Sequence, residues 1–179
     1  AGYKGRFNTH DKNYDANNAA HIFQYNENIN ALYGAVTFAL TEKLRTKVGL
    51  RYEQVLAKIL STTEIQTEKD NNYNTPYPSA HLAYVFSPYS NLKLAYSTRV
   101  NRPELKMLDP SPQNQFSSLV DTVGNPDLKP EFIDVFEVTY ALTQDKYKTD
   151  LSLYHHNIKD VIQWDVIDVD MITYNNLGE

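Results

Sequence analysis

The sequence contains no cysteine, which excludes disulfide frameworks, thiolate zinc sites and cysteine nucleophiles together. It has no apolar run approaching 18 residues and a mean hydropathy of -0.54, so no helix can cross a membrane. Basic runs are missing, and 17 Lys and Arg against 22 Asp and Glu leave a net charge of -5. Nucleic acid, which needs clustered cations, is excluded as a partner. There is no G-x-S-x-G, H-E-x-x-H, P-loop or G-x-G-x-x-G, and no acid and histidine converge by spacing, so the chain is not read as an enzyme and no cofactor is expected. None of these absences touches a transmembrane β-barrel, whose strands alternate apolar with polar residues and average out hydrophilic.

What is present is tyrosine, 14 residues against seven Phe and one Trp, and a pattern of period two. Leu44, Thr46, Val48, Leu50 and Tyr52 alternate with Arg45, Lys47, Gly49, Arg51 and Glu53, the mark of a strand with one wet face. The same alternation runs through 78–86, 92–100, 136–142 and 147–153, which predicts two hairpins and about seven strands in all. Short connections, Thr41-Glu42-Lys43, Ser87 to Asn91 and Thr143 to Lys146, contrast with long polar ones over 61–76 and 101–130. Short turns at one end and long loops at the other are the asymmetry of an outer-membrane barrel. Tyrosine fits that wall, its ring in the acyl region and its hydroxyl at the headgroups.

Residues 1–20, rich in Asn and Asp, read as a loop or frayed edge, leaving 21–179 as the barrel portion. Within 28–60, Ala31, Leu32, Ala35, Val36, Ala39 and Leu40, then Val55, Leu56, Ile59 and Leu60, fit helical spacing as well as a strand pattern. The sequence opens at Ala1 without a signal segment and ends where Ile172-Thr173-Tyr174 begins a further strand. It is read as an interior piece of something larger.

Two strings carry a resemblance. Tyr96-Ser97-Thr98-Arg99-Val100-Asn101-Arg102-Pro103 is followed by Gly124-Asn125-Pro126-Asp127-Leu128-Lys129-Pro130-Glu131 and then by the strand Phe136 to Tyr140. Supporting matches are Gly49 to Glu53 and Tyr77 to Tyr84. From about residue 22 to the end, the sequence resembles the barrel domain of TonB-dependent outer-membrane receptors, in its Bacteroidetes branch. The resemblance implies a barrel of about 22 strands around an N-terminal plug, importing a scarce ligand such as a siderophore, corrinoid or glycan. Partners so implied are the plug of the same full-length protein, the TonB complex, a surface lipoprotein and outer-membrane lipid. The sequence shows no plug-like segment, TonB box or closing aromatic-ended strand.

The fold expected is therefore all-β, an antiparallel up-and-down meander forming a partial transmembrane barrel. Its two open edges would pair with another copy if the piece were isolated. Ligand-capturing loop candidates are Asn71, Asn72, Tyr73, Arg102, Gln113, Asn114, Gln115 and Phe116. Lumen-facing candidates are Arg51, Glu53, His81, Arg99 and Glu137, with Lys47, Lys93, Asp150 and Ser152 on the same face. Gly124, Asn125, Pro126, Pro130 and Glu131 form a structural motif, with fixed φ at the prolines and positive φ tolerated at Gly124 and Asn125. His155-His156 points to opposite faces of a strand and is not read as a metal site. Asp165, Asp168 and Asp170 read as the rim of an external loop, with Trp164 at the membrane interface; calcium is the weaker reading. A passive porin or adhesin barrel and a soluble ligand-binding β domain are the alternatives.

Overall fold

The structure, a computed structural model, describes residues 2–18, 21–62, 66–117 and 120–177. Twelve strands and one short helix follow in order. They are β1 (Gly2–Asn18), β2 (His21–Ala39), β3 (Leu44–Thr62), β4 (Gln66–Asp70), β5 (Tyr73–Ser87), β6 (Ser90–Asn101), α1 (Leu105–Leu108), β7 (Pro112–Ser117), β8 (Val120–Val123), β9 (Glu131–Gln144), β10 (Tyr147–Lys159), β11 (Ile162–Asp168) and β12 (Met171–Asn176). The main sheet runs β1-β2-β3-β5-β6-β9-β10, with β4 paired to β3, and every pairing in it is antiparallel. The seven strands of that path and their short turns match the expected meander. A four-stranded sheet, β11-β12-β8-β7, stands at the other end and departs from it through one parallel pair, β12 with β8.

Two expectations change. The segment read over 1–20 as a loop or frayed edge holds an edge strand over residues 2–18, because β1 pairs with β2 from Gly2 opposite Thr37 to Asn18 opposite His21. Its Asn and Asp content suits an edge, where strands are kept polar. The segment 28–60 is β2 and β3 with no helix, and the register shows why its pattern was ambiguous. Up to Tyr52 the apolar residues of β3 are the even ones, which are solvent-exposed in the chain, Val48, Leu50 and Tyr52 among them. From Val55 the buried residues are the odd ones, Val55, Ala57, Ile59 and Ser61. Changing face in mid-strand breaks the period of two and imitates helical spacing.

That inversion locates the membrane. Across the lower sheet one register row reads Leu44, Tyr84, Leu92, Tyr140, Leu151, and the face it belongs to is lined with exposed Leu, Val, Tyr and Phe. From Leu44 to Tyr52 the apolar stripe covers about 26 Å along the strand, or about 19 Å at a 45° tilt, close to the apolar band of an outer-membrane barrel once flanking rings are added. At its upper edge Tyr96 stacks on Phe136 with centroids 4.8 Å apart while its hydroxyl reaches Asp134 at 2.9 Å. Below, Tyr84, Phe86 and Tyr140 form the second aromatic row. These are the girdles expected of tyrosine.

Strands β2 and β3 have 19 residues each, about twice what a tilted crossing needs. The strands therefore continue past the apolar band, and much of what was read as the 61–76 loop is strand extension in β4 and β5. In the projecting part the outer face turns polar, with Gln24, Asn26, Asn28 and Asn30 on β2. The inner face holds the core: Phe23, Tyr25, Val55, Ala57 and Ile59 pack with Leu108, Leu128 and Tyr174 from the long connections. Phe23, Val55 and Ile59 are fully buried, each worth about 1.5–3 kcal/mol relative to exposure. This is the reverse of the polarity in the membrane, and it closes the loops over the inside of the wall.

Candidate functional site

Beneath those loops lies a cavity of about 400 Å³, lined by residues of β2, β3, β5 and the two long connections. Its electrostatic centre is Arg102, the residue after β6. The guanidinium donates through Nη2 to Glu53 Oε2 at 2.6 Å and through Nε to the Tyr73 hydroxyl at 2.8 Å, and Nε stands 3.8 Å from Glu27 Oε1. Tyr25 donates to the same Glu27 oxygen at 3.1 Å, and Arg51 Nε donates to Glu53 Oε1 at 2.6 Å. Both carboxylates are buried, a position they hold because each is met by a cation or a phenol.

Period two delivers these groups. Tyr25 and Glu27 on β2, Arg51 and Glu53 on β3, and Tyr73 on β5 all occupy the inner-face positions of their strands, in register. Burial, reinforced by the Glu27 charge, holds the Tyr25 phenol well above its ordinary value. Burial likewise raises Tyr73, with Arg102 opposing. Arg102 is raised in turn: burial pulls it down, but Tyr73 and Glu53 outweigh that. The site therefore keeps a charged guanidinium and neutral phenols through the physiological range, and offers hydroxyl donors and carboxylate acceptors beside the apolar walls of Val55, Ala57, Leu108 and Leu128.

The Gly124 to Glu131 segment forms the opposite wall and ties the loops together. Gly124 and Asn125 donate their backbone N–H to the carbonyls of Asp109 (2.9 Å) and Met107 (2.7 Å) after and within α1. Asn125 Nδ2 donates to the Tyr174 carbonyl of β12 at 2.9 Å, and its Oδ1 accepts from the Asp127 N–H at 2.9 Å. Asn71 Nδ2 donates to the Pro126 carbonyl at 2.9 Å, and Lys69 pairs with Asp127. Glu131 receives the Ile162 N–H at 2.7 Å and Asn101 at 2.6 Å. Positive φ is not the reason for this glycine, since among the described residues only Asp160 has one. A Cβ on Gly124 would lie 2.4 Å from the Asp109 carbonyl oxygen, so the need is for close backbone approach.

Of the loop candidates, Asn71, Asn72, Tyr73 and Arg102 converge on the cavity. Gln113 sits in β7, and the side chains of Asn114, Gln115 and Phe116 lie outside the described residues. Among lumen candidates Arg51 and Glu53 join the cluster, while His81, Arg99 and Glu137 occupy the same face away from it. Pro130 lines the cavity. Sequence reasoning missed Tyr25 and Glu27, although a lone Glu in the alternating series Phe23, Tyr25, Glu27, Ile29, Ala31 marks a charge placed on a buried face. His155 lies against Phe136 outside and His156 against Tyr154 inside, on opposite faces. Asp165 and Asp168 accept backbone N–H bonds from Val166 and Val169 in the β11–β12 hairpin, and Trp164 is exposed on β11. No group of three acidic or histidine side chains suited to a metal ion occurs among the described residues.

Three solved structures share this fold. The hemophore receptor HasR of Serratia marcescens, in a complex with its hemophore HasA and heme, aligns with a TM-score of 0.68 at 12% identity, covering 97% of this chain and 37% of that one. The ferric-catecholate import receptor Fiu of E. coli aligns at 0.59 and 15% identity, covering 88% of this chain and 24% of that one. The alcaligin outer-membrane receptor FauA of Bordetella pertussis aligns at 0.56 and 14% identity, covering 97% and 34%. The chain thus spans well under half the length of each. No curated protein matches it in sequence. All 179 residues match one sequence family, and with an apolar outer wall, aromatic girdles and a polar inner face, the chain belongs to the outer membrane protein β-barrel family and its place is the outer membrane.

Proposed function

We propose that this chain forms a stretch of the wall and outer mouth of a TonB-dependent receptor that imports a scarce ligand, and that the Arg102 cavity is part of the surface receiving it. The observation that carries the reading is the position of the cavity. It opens on the inner side of the wall, just past the apolar band and under the long-loop end, where an incoming solute would first leave bulk water. A soluble β domain would leave Leu50, Leu94, Leu151 and Leu153 in water, which the outer face speaks against.

The reading calls for more barrel than this sheet. Strands β1 and β10 end the main sheet with unpaired backbone groups, which lipid does not tolerate. Further strands of the same barrel would cover them, and an isolated piece would pair with another copy. A plug of the same full-length protein would fill the lumen, with the TonB complex as its energy source and a surface lipoprotein as a partner at the loop face.

Planar-bilayer recording of the full-length protein tests the importer against a passive pore. A plugged importer carries no steady current; an ohmic conductance from the untreated protein would overturn the reading. Calorimetric titration with heme, a ferric catecholate, a corrinoid and an oligosaccharide tests the site. Binding of one of them should weaken by about tenfold or more in R102A, and unchanged affinity would remove the cavity from the receiving surface.

A further inference from the structure

The outer wall carries a groove of its own, on the side away from the Arg102 cavity. Between Val55 and Lys58 the strand β3 changes its partner: Val55 stands opposite Tyr73 of β5, and Lys58 opposite Asp70 of β4. Among the described residues, Leu56 and Ala57 have no register partner on that side, and the connection from β4 to β5 closes the gap. Asn71 donates its N–H to the Ala57 carbonyl at 2.8 Å, and Asn72 Oδ1 accepts the Ala57 N–H at 3.1 Å. What remains is an open groove of about 430 Å³ lined by Asn26, Asn28, Leu56, Lys58, Asp70 and Asn72. The even positions of β2 and β3 face outwards here as they do at membrane level, so Asn26, Asn28, Leu56 and Lys58 belong to the outer face.

Its chemistry is that of carboxamides beside an apolar floor. The outward positions of β2 read Gln24, Asn26, Asn28 and Asn30, with no charge among them. Asn30 donates to Asn28 at 2.7 Å, which orients the ladder, and Asn26 is exposed. Leu56, opposite Asn28, is 45% exposed. A carboxamide presents a donor and an acceptor side by side, which matches neighbouring hydroxyls that are each donor and acceptor in turn. The leucine methyls supply the dispersion contact that the C–H face of a sugar ring seeks. Phosphate fits poorly, since Lys58 is already paired with Glu68 and stands opposite Asp70.

Height selects the form of the sugar. Leu56 lies four residues past Tyr52, where the apolar stripe ends, which is about 13 Å along the strand and roughly 9 Å above the band at a tilt of about 45°. Ordinary phospholipid headgroups fill about 5–7 Å on each side of the hydrocarbon. The groove therefore opens just beyond them, at the level reached by a lipid that carries an extended saccharide. We propose that it binds the sugar headgroup of an outer-leaflet glycolipid, with Asn26 and Asn28 on its hydroxyls and Leu56 under a ring. The contact continues upwards the lipid face of the wall below it, and it stands on the membrane placement rather than on the importer reading.

Native mass spectrometry of the full-length protein in phosphatidylethanolamine nanodiscs tests it, with rough lipopolysaccharide, lipid A and the free core oligosaccharide as probes. The unaltered protein should retain rough lipopolysaccharide, and N26A/N28A/L56A should lower that retention by about tenfold or more. Lipid A, which keeps the acyl chains and phosphates without the core sugars, should be held weakly and equally by both proteins, which also shows that the variant is folded. Retention of lipopolysaccharide by the variant within about twofold of the unaltered protein would overturn the inference. So would lipid A held as tightly as lipopolysaccharide, because the phosphates would then be the ligand. Free oligosaccharide bound as tightly as the anchored form would assign the groove to a soluble sugar and overturn the glycolipid proposal.

Discussion

Removing Arg102 should loosen the long connection over 102–130 by an amount the geometry sets. R102M keeps the apolar stem and deletes the guanidinium, and with it the 2.6 Å bond to Glu53, the 2.8 Å bond to Tyr73 and the attraction to Glu27. Breaking a buried ion pair costs about 3–5 kcal/mol when the remaining charge is abandoned. Here it is not wholly abandoned, because Glu53 retains Arg51 and Glu27 retains the Tyr25 hydroxyl. The Arg102 side chain is also 27% exposed. The expected cost is therefore nearer a single charge-assisted hydrogen bond, about 2 kcal/mol, or about 30-fold in the open population of the connection. Hydrogen exchange at the Gly124 and Asn125 amides reads this directly, since both bond to the α1 region. R102M in the full-length protein should exchange about 30-fold faster there, and R102M/E27Q/E53Q should recover most of the protection because carboxamides need no cation. An increase below about threefold, or a triple variant as fast as R102M, would refute the electrostatic account.

G124A should lose protection at the same amides, by about 1–3 kcal/mol of overpacking, because its Cβ would meet the Asp109 carbonyl at 2.4 Å; an unchanged exchange pattern would show that α1 moves freely. The membrane boundary is checked by two arginines on the outer face of β3. L50R should destabilise the barrel by about 2–4 kcal/mol in urea titrations from lipid vesicles, and L56R, past the girdle, by about 0–1; equal costs would misplace the boundary. Tyr25 and Tyr73 have phenols raised above their ordinary 10.0. A raised folded value stabilises fully below the unfolded value and is lost as pH climbs through the folded one. Ultraviolet titration should show these two still protonated when exposed tyrosines have ionised, with stability of the loop end declining above about pH 10; early ionisation in Y25F or Y73F difference spectra would contradict the burial.

The meander and its short turns were legible in the sequence wherever one face stayed apolar, as at Leu44 to Tyr52, because strict alternation over that length reads as a strand. The boundary near Val55 was not legible, since apolar residues move from the lipid side to the inner side and the period breaks. Residues 2–18 hid for a related reason: an edge strand needs few apolar residues when its pairing comes from the β2 backbone. Within the site, Arg102 and Tyr73 were visible as polar residues of the long connections, while Glu27 was missed because it is one charge in an otherwise apolar alternating series.

By itself the sequence determined that the stretch from Leu44 onwards alternates as antiparallel strands, and which side of those strands is apolar. Only the tertiary structure decided that Glu27, Tyr73 and Arg102, 75 residues apart from first to last, share one cavity, with Glu53 bonded to Arg102 beside it. Register between strands, together with the folding of the long connections back onto the inner wall, brings them together. Neither leaves a local signature, because both are set by which distant backbone groups find partners.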